Sequence, residues 1–214
     1  MMIKRILIIL FCFTSLLGCE STYYAAMEKV GQHKRDILVD RVESASESQE
    51  EAQQEFKDAL THLSTLINFD GEDLARQYDI SKSHFEKSKA AAEDVTKRID
   101  SIESVANALF DEWQDEIDLY QNASFKMQSQ QQLRQTKQRY QQLIGAMHKA
   151  EKRMQPVLSA LQDNVLFLKH NLNAKAIGAL QGEFNSIKRD VQRLIDDMNK
   201  AIKQSAIFIE QIKE

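Results

Sequence analysis

Residues that end or interrupt helices are scarce in this chain, and their scarcity constrains the fold more than any motif does. The 214 residues include one proline and six glycines, whereas a β or α/β domain of this size needs many more for its turns. Ala, Gln, Glu, Lys and Leu, which all favour helices, are abundant. The sequence therefore predicts an all-α protein.

Apolar residues also repeat with a heptad spacing, which is typical of helices that pack as left-handed coiled coils. Near the N-terminus the two series are Val42, Gln49, Phe56 and Leu63, and Leu38, Ala45, Ala52, Ala59 and Leu66. Near the C-terminus they are Ile177, Phe184, Val191, Met198 and Ile212, and Leu180, Ile187, Leu194, Ala201 and Phe208. The middle of the chain keeps this rhythm through Val95, Leu109, Trp113 and Tyr120, and again from Leu133 to Leu172.

The turn signals divide this pattern into four long helices, predicted at 23–67, 72–121, 126–171 and 174–212. Helices of similar length joined by short loops fold back on each other, so we expect an elongated antiparallel bundle of about four helices with coiled-coil-like seams. Asp70 is placed to cap the second helix, with Asp73 in its first turn, and Asn173 to cap the fourth. Pro156 is expected to lie inside a helix. Because the break at 121–126 is weak, a three-helix arrangement with one very long central helix over 72–171 stays open.

The N-terminal segment predicts export and lipid attachment. Lys4 and Arg5 precede an uncharged apolar run that ends in Leu16-Leu17-Gly18-Cys19, which is the layout of a signal peptide followed by a bacterial lipobox. We therefore expect residues 1–18 to be a lipoprotein signal peptide, Cys19 to carry the lipid, and 19–214 to be one helical-bundle domain that faces the periplasm. Glu20 is not the aspartate that usually retains a lipoprotein at the inner membrane, which favours the outer membrane.

The net charge and the cysteine content limit the classes of partner that this chain could bind. The net charge of −4 becomes −6 once Lys4 and Arg5 are removed with residues 1–18, and nucleic acid requires a dense basic surface. Cys12 would be removed as well, which leaves only a lipidated Cys19 and neither a disulfide nor a thiol nucleophile. The expected partners are a membrane, through the lipid, and a protein or a second copy of the chain, but not nucleic acid.

Three stretches resemble an uncharacterised gammaproteobacterial lipoprotein family of unknown function. They are Tyr23 to Val42 (YYAAMEKVGQHKRDILVDRV), Ala108 to Trp113 (ALFDEW) and Met154 to Glu183 (MQPVLSALQDNVLFLKHNLNAKAIGALQGE). The resemblance covers essentially the whole mature chain. It implies a helical, exported protein and supplies no activity, ligand or site.

Motifs of known chemistry are missing from the sequence. It has no glycine-rich phosphate loop, no G-x-S-x-G and no H-E-x-x-H, and no histidine follows a carboxylate at the Glu-x-x-His spacing of di-iron bundles. We expect no enzymatic activity, no cofactor and no metal site. Trp113 is interpreted mainly as a core anchor, and the surrounding acidic cluster as a solvated face. That cluster consists of Asp111, Glu112, Asp115, Glu116 and Asp118.

The segment around 164–182 is the one candidate for partner binding. Val165, Leu166, Phe167 and Leu168 are four consecutive apolar residues, more than one helix stripe can bury, and Ile177 follows after a turn. One interpretation is a tightly packed hairpin, in which Gly178 and Gly182 let another backbone approach closely. The other is an apolar patch that docks a partner or a second copy.

Two functional hypotheses follow. The favoured one is a non-enzymatic, lipid-anchored envelope protein that acts as a helical scaffold or adaptor for a protein partner. The alternative is a periplasmic sensor that holds a small molecule between its helices, for which Gln49 and Ser205 are the polar residues at core positions.

Overall fold

The computed structural model describes residues 33–69, 73–171 and 174–213, and nearly all of them lie in four helices. These are α1, Lys34–Leu66; α2, Leu74–Leu119; α3, Ala123–His170; and α4, Ala174–Lys213. At a rise of 1.5 Å per residue they are about 50 to 70 Å long. The predicted signal peptide, the lipidated Cys19 and the proposed caps Asp70 and Asn173 lie outside the described residues.

The helices form an antiparallel four-helix bundle, as the sequence predicts. Each helix packs against its neighbours in the sequence, and α1 also packs against α4, which closes the ring. The three-helix alternative is wrong because the backbone leaves the helix between Leu119 and Ala123.

Both predicted heptad seams form the core. All nine residues of the α1 series are buried, and so are all those of the α4 series except the partly buried Phe184. A helix with two seams presents a stripe wide enough to contact two neighbours at once. This explains why α1 and α4 each complete the ring rather than lie on its outside.

The described start of α1 is Lys34, after an extended His33, and the rest of the predicted range, 23–32, lies outside the described residues. The starts of α2 and α3 differ from the predicted ones because of their capping residues. The Asn122 side chain accepts hydrogen bonds from the backbone N–H groups of Ser124, at 2.9 Å, and Phe125, at 3.3 Å, so α3 begins at Ala123 instead of 126. Asp73 accepts from the N–H of Arg76 at 3.0 Å. It is therefore the cap of α2, and its predicted place in the first turn is wrong. Pro156 lies inside α3, as predicted.

The two ends of the bundle are named here by their distance from the start of α1. The near end holds the start of α1, the α2–α3 turn and the end of α4, whereas the far end holds the α1–α2 and α3–α4 connections. Tyr120 lies in the near-end turn and is 44% exposed. Its predicted place in the core is wrong, because the backbone becomes extended there.

Candidate partner-binding site

The last turns of α3, at the far end, place the four consecutive apolar residues on opposite sides of the helix. Val165 and Leu168 are buried in the bundle, whereas Leu166 is 49% and Phe167 40% exposed. The prediction that at least one of the four points away from the seam is therefore confirmed. Only Leu166 and Phe167 are accessible to a partner, and partner binding itself stays a prediction.

The other elements of the predicted site belong to the packed interior or face open space. Ile177 is 9% exposed and joins the main core cluster, so it supports the end of the bundle and offers little to a partner. A Cβ atom added at Gly178 or Gly182 would meet nothing within 4 Å. The predicted close approach of another backbone at these glycines is wrong, because no described neighbour lies against them.

Side-chain amides hold the far end together. The Asn164 amide donates to the Ala160 carbonyl oxygen at 2.8 Å, and the Asn171 amide donates to that of Phe167 at 3.0 Å. Gln181 of α4 donates to the carbonyl oxygen of Ile67, just after α1, at 2.7 Å. The exposed pair therefore sits on a helix end with local side-chain bonds, and a separate bond ties α4 to the end of α1.

A stacked pair of histidines lies beside this site between α1 and α2. The rings of His62 and His84 have their centres 5.2 Å apart, and Nε2 of His62 lies 2.8 Å from Ser81 Oγ. Burial, with the repulsion of a second charge on His84, lowers the pKa of His62. A cavity of about 20 Å³ adjoins both rings and Val165. This space is too small for any ligand larger than a water molecule.

Two open grooves lie farther along the bundle. One, of about 410 Å³ between α2 and α3, has Phe85, Ala92 and Leu158 on its apolar lining and charged side chains such as Lys89 and Lys152 around them. The other, of about 260 Å³ toward the near end, is lined by Arg35, Trp113, five polar or charged residues of α3 and α4, and Ile212. Both are shallow surface features that follow from the spacing of adjacent helices.

Trp113 is a structural residue of this second groove. Its indole N–H donates to Ser129 Oγ at 2.9 Å, the guanidinium of Arg35 lies 6.0 Å from the ring centre, and the ring packs against the core. These contacts join α1, α2 and α3. They support the interpretation of Trp113 as an anchor.

The acidic cluster beside Trp113 is a solvated face. Asp111, Asp115, Glu116 and Asp118 are exposed, and Glu112 forms an ion pair with Lys34 at 2.9 Å. Within the described ranges, no group of three or more His, Cys, Asp or Glu side chains could hold a metal ion.

Among the described side chains, His148 resembles an acid–base group because both of its ring nitrogens face carboxylates. Its Nδ1 lies 2.9 Å from Glu151 and its Nε2 3.1 Å from Glu103. Burial by itself lowers the pKa of His148, but the hydrogen bonds to Glu151 and Glu103 outweigh burial, and the net effect is a raised pKa. Both ring nitrogens are therefore engaged, which suits an ion pair linking α2 and α3 better than a proton acceptor for a substrate.

Sequence reasoning missed one buried charge. Asp197 in α4 is almost completely buried and pairs with Arg153, with Lys149 at 3.0 Å and with Lys200 at 3.5 Å. Burial by itself raises the pKa of Asp197, but its contacts with Lys149 and Arg153 outweigh burial and lower it. The heptad pattern of α4 carries no signal for this residue because Asp197 lies beside the seam.

The two polar core residues behind the sensor hypothesis behave differently from each other. Ser205 donates to the Ala201 carbonyl oxygen at 3.0 Å, which satisfies it within its own helix. Gln49 is completely buried, and neither its amide nitrogen nor its amide oxygen has a hydrogen-bond partner. Neither residue lines the cavity or either groove described above.

A second exposed apolar cluster, at the near end, was also missed. It consists of Leu119, Tyr120, Phe125 and Met127, exposed at 76%, 44%, 58% and 65%, and is called the near-end tip below. The signal that could have revealed it is the position of these residues on both sides of the Gln121-Asn122 turn. Only Tyr120 lies in the turn itself, whereas Leu119 ends α2 and Phe125 and Met127 lie at the start of α3.

Comparison with known proteins identifies a family, but the function of that family is unknown. Among the described residues, no helix is both long and apolar enough to cross a membrane. No curated protein matches the chain, and neither does any solved structure. A family described as "Protein of unknown function (DUF2959)" matches residues 23–212, which confirms the resemblance to an uncharacterised family. The chain therefore belongs to this family of unknown function, DUF2959.

Proposed function

We propose that this protein is a non-enzymatic, lipid-anchored scaffold of the bacterial cell envelope that holds a protein partner at the far end of its bundle. The lipobox-like segment ending at Cys19 supports the anchor and a periplasmic location, with the outer membrane favoured. Helices of 33 to 48 residues support the scaffold role. They separate the far end from the near end, where residues 1–32 join the bundle, by about 50 to 70 Å.

The exposed pair Leu166 and Phe167 is the observation that carries the adaptor role. Both side chains project from a helix whose opposite face, including Val165 and Leu168, is locked in the core. A partner that covers them would bury apolar surface without having to order a loop, which lowers the entropic cost of binding. The engaged ring nitrogens of His148 and the fully paired Asp197 support a structural rather than a catalytic use of the titratable groups.

The anchor is tested by replacing its attachment atom. With Cys19→Ser we expect the protein to be released from membranes or to persist as an uncleaved precursor, because no thioether can form. Membrane fractionation with mass measurement of the N-terminus distinguishes these forms. A Cys19→Ser protein that is processed and stays with membranes as before would show that the anchor assignment is wrong.

The adaptor role is tested by in-cell crosslinking of the double variant Leu166→Ser with Phe167→Ser. We expect the crosslinked partners to be lost while the melting temperature changes little, because both side chains are substantially exposed. Gln162→Ser with Asp163→Ser is the matched control, since this exposed pair lies one turn earlier on the same helix. If the Leu166/Phe167 variant keeps its partners, the pair is not the docking site. If it loses them only because it unfolds, the two residues are part of the packing.

A further inference from the structure

The near-end tip holds most of the exposed large hydrophobic side chains of the described structure. Four of the six large hydrophobic residues that are exposed lie within the nine positions from Leu119 to Met127. The rings of Tyr120 and Phe125 meet edge to face with their centres 6.5 Å apart. The cluster is therefore assembled across the turn, and the caps of Asn122 fix the backbone beneath it.

The tip also extends past the described ends of α1 and α4. The ion pair between Lys34 and Glu112 places the start of α1 level with Glu112. Leu119 follows seven residues later, about 10 Å farther along the axis. The end of α4 lies still farther from the tip. Gln211, near the end of α4, accepts a hydrogen bond from Arg139, which lies well after the start of α3 at Ala123. In the described part of the chain, the turn is a two-helix projection.

We infer that the near-end tip inserts into the interfacial region of the membrane that carries the lipid anchor. This inference rests on the proposed lipidation of Cys19. Residues 1–32 join the bundle at this end, and the fourteen residues between Cys19 and Lys34 span at most about 50 Å when fully extended. The anchor thus keeps the tip within reach of the bilayer surface.

The composition of the tip fits a lipid surface. Tyrosine is favoured where one part of a side chain meets lipid and the other meets water, and phenylalanine, leucine and methionine add apolar contact. A projecting turn can enter soft lipid, whereas a protein partner would need a matching concave surface.

Charge around the tip defines the kind of membrane contact. Asp115, Glu116 and Asp118 precede the turn, and Lys126 is already paired with Asp118 at 3.1 Å. The surroundings are therefore acidic. Insertion must depend on apolar contact with zwitterionic lipid, and anionic lipid should weaken it.

The test compares one aromatic position at each end in the mature, lipid-anchored protein, residues 19–214. Phe125→Cys and Phe167→Cys are made separately in a Cys12→Ser background and labelled with a polarity-sensitive fluorophore. Each protein is reconstituted in phosphatidylcholine vesicles that contain acyl-chain spin-labelled lipid. We expect the label at position 125 to shift to shorter wavelength and to be quenched severalfold more than the label at 167. Leu119→Ser should reduce the quenching at 125, whereas Gln121→Ser should not.

Each other outcome overturns a defined claim. Equal, weak quenching at both positions in protein that floats with the vesicles refutes membrane insertion of the tip and leaves the anchor intact. A blue-shifted but unquenched label at 125 means that protein covers the tip, either residues 20–32 or a second copy, and refutes it as well. The Cys12→Ser protein without an added cysteine should take up no label. Labelling of Cys19, together with failure to float, refutes the proposed anchor instead.

Discussion

The two ends of the bundle expose apolar side chains for different physical reasons. At the far end all four helices are present, and Gln181 of α4 bonds to the carbonyl group of Ile67 after α1. Leu166 and Phe167 are exposed there because four adjacent apolar residues exceed the buried stripe of one helix. At the near end the α2–α3 turn projects beyond the start of α1, so its apolar residues have no described helix on which to pack.

The far end has more apolar residues than its helix can bury, whereas the near end has too few neighbouring described helices to bury its apolar residues. The far-end pair is an addition to a helix that is already packed, so its replacement should change surface chemistry and not the fold. The near-end tip is a region where only two of the described helices, α2 and α3, are present. Its contacts with lipid or protein would substitute for the packing that α1 and α4 supply elsewhere.

The largest expected effect tests whether the two ends share one core. Phe56 is completely buried in the α1 seam, and Phe56→Asp would place an unpaired charge there at a cost of more than about 4 kcal/mol. Val191→Asp in the α4 seam should act in the same way. We expect circular dichroism to show that both variants unfold, and hydrogen exchange to show that protection is lost at both ends together.

Glu51→Ala is the control on the exposed side of α1 and should change stability by less than about 0.5 kcal/mol. If the charged variants keep exchange protection at one end, the bundle consists of two independent folding units and the comparison must be made between those units.

The next effect concerns the uncompensated amide of Gln49, which lies between the two ends. Gln49→Leu removes two buried polar atoms without partners, and we expect thermal or denaturant unfolding to show a gain of about 1–3 kcal/mol. The exposed Gln54 offers a matched change, since Gln54→Leu should be nearly neutral. A loss of stability in Gln49→Leu would mean that the amide is satisfied in solution, for example by a bound molecule as in the sensor hypothesis.

If Gln49 instead specifies the register between helices, as single polar seam residues do in coiled coils, Gln49→Leu will be more stable but less uniform. Exchange at the two ends would then become heterogeneous. This outcome would make the buried amide a device that aligns the near and far ends.

Capping residues allow each end to be loosened separately. Asn122 caps α3 at the near end through two N–H groups, and Asp73 caps α2 at the far end through one. Replacement of either by alanine should cost about 1 kcal/mol, with Asn122 the more costly. We expect Asn122→Ala to speed hydrogen exchange only around the α2–α3 turn, and Asp73→Ala only around the start of α2. Faster exchange at the opposite end would contradict the independence of the two ends.

Sequence reasoning succeeded where neighbouring helices repeat the same contact. The heptad series of α1 and α4 located the seams because every seventh residue meets the same neighbour, and four adjacent apolar residues revealed the surplus at Leu166 and Phe167. It failed where contacts depend on how far each helix extends. Tyr120 continues the apolar rhythm of α2, but α2 ends at Leu119 and the described part of α1 starts level with Glu112. Periodicity encodes neither boundary.

The same limit applies to polar groups. Asp197 is buried because Lys149 and Arg153 on α3 reach it from the side of the seam. Gly178 and Gly182 face open space because none of the described helices packs against them. Whether such a residue is covered by a neighbour depends on how each helix is rotated about its axis relative to the next. A single sequence without contacts does not supply that rotation.

The smallest expected effect is a pH dependence that differs between the far end and the middle of the bundle. The pKa of His62 is lowered by burial and by His84, so the unfolded chain binds more protons than the folded one as pH falls through about 6.5. The contribution of His62 is therefore complete above this pH and is lost on acidification. His148, whose pKa is raised by Glu151 and Glu103 against the effect of burial, contributes in the opposite direction. Its stabilisation is complete below about pH 6.5 and is lost as pH rises through its folded pKa.

Melting temperatures of the wild-type chain, His62→Gln and His148→Gln at pH 8 and at pH 5.5 test this assignment. Relative to wild type, we expect acidification to favour His62→Gln, because the acid-sensitive group is gone, and to disfavour His148→Gln, because a favourable ion pair is gone. Hydrogen exchange should locate the acid-induced loosening of the wild-type chain at the far end, around the His62–His84 stack. If both variants shift in the same direction, the two histidines are not electrostatically distinct, and the far end is no more sensitive to acid than the middle of the bundle.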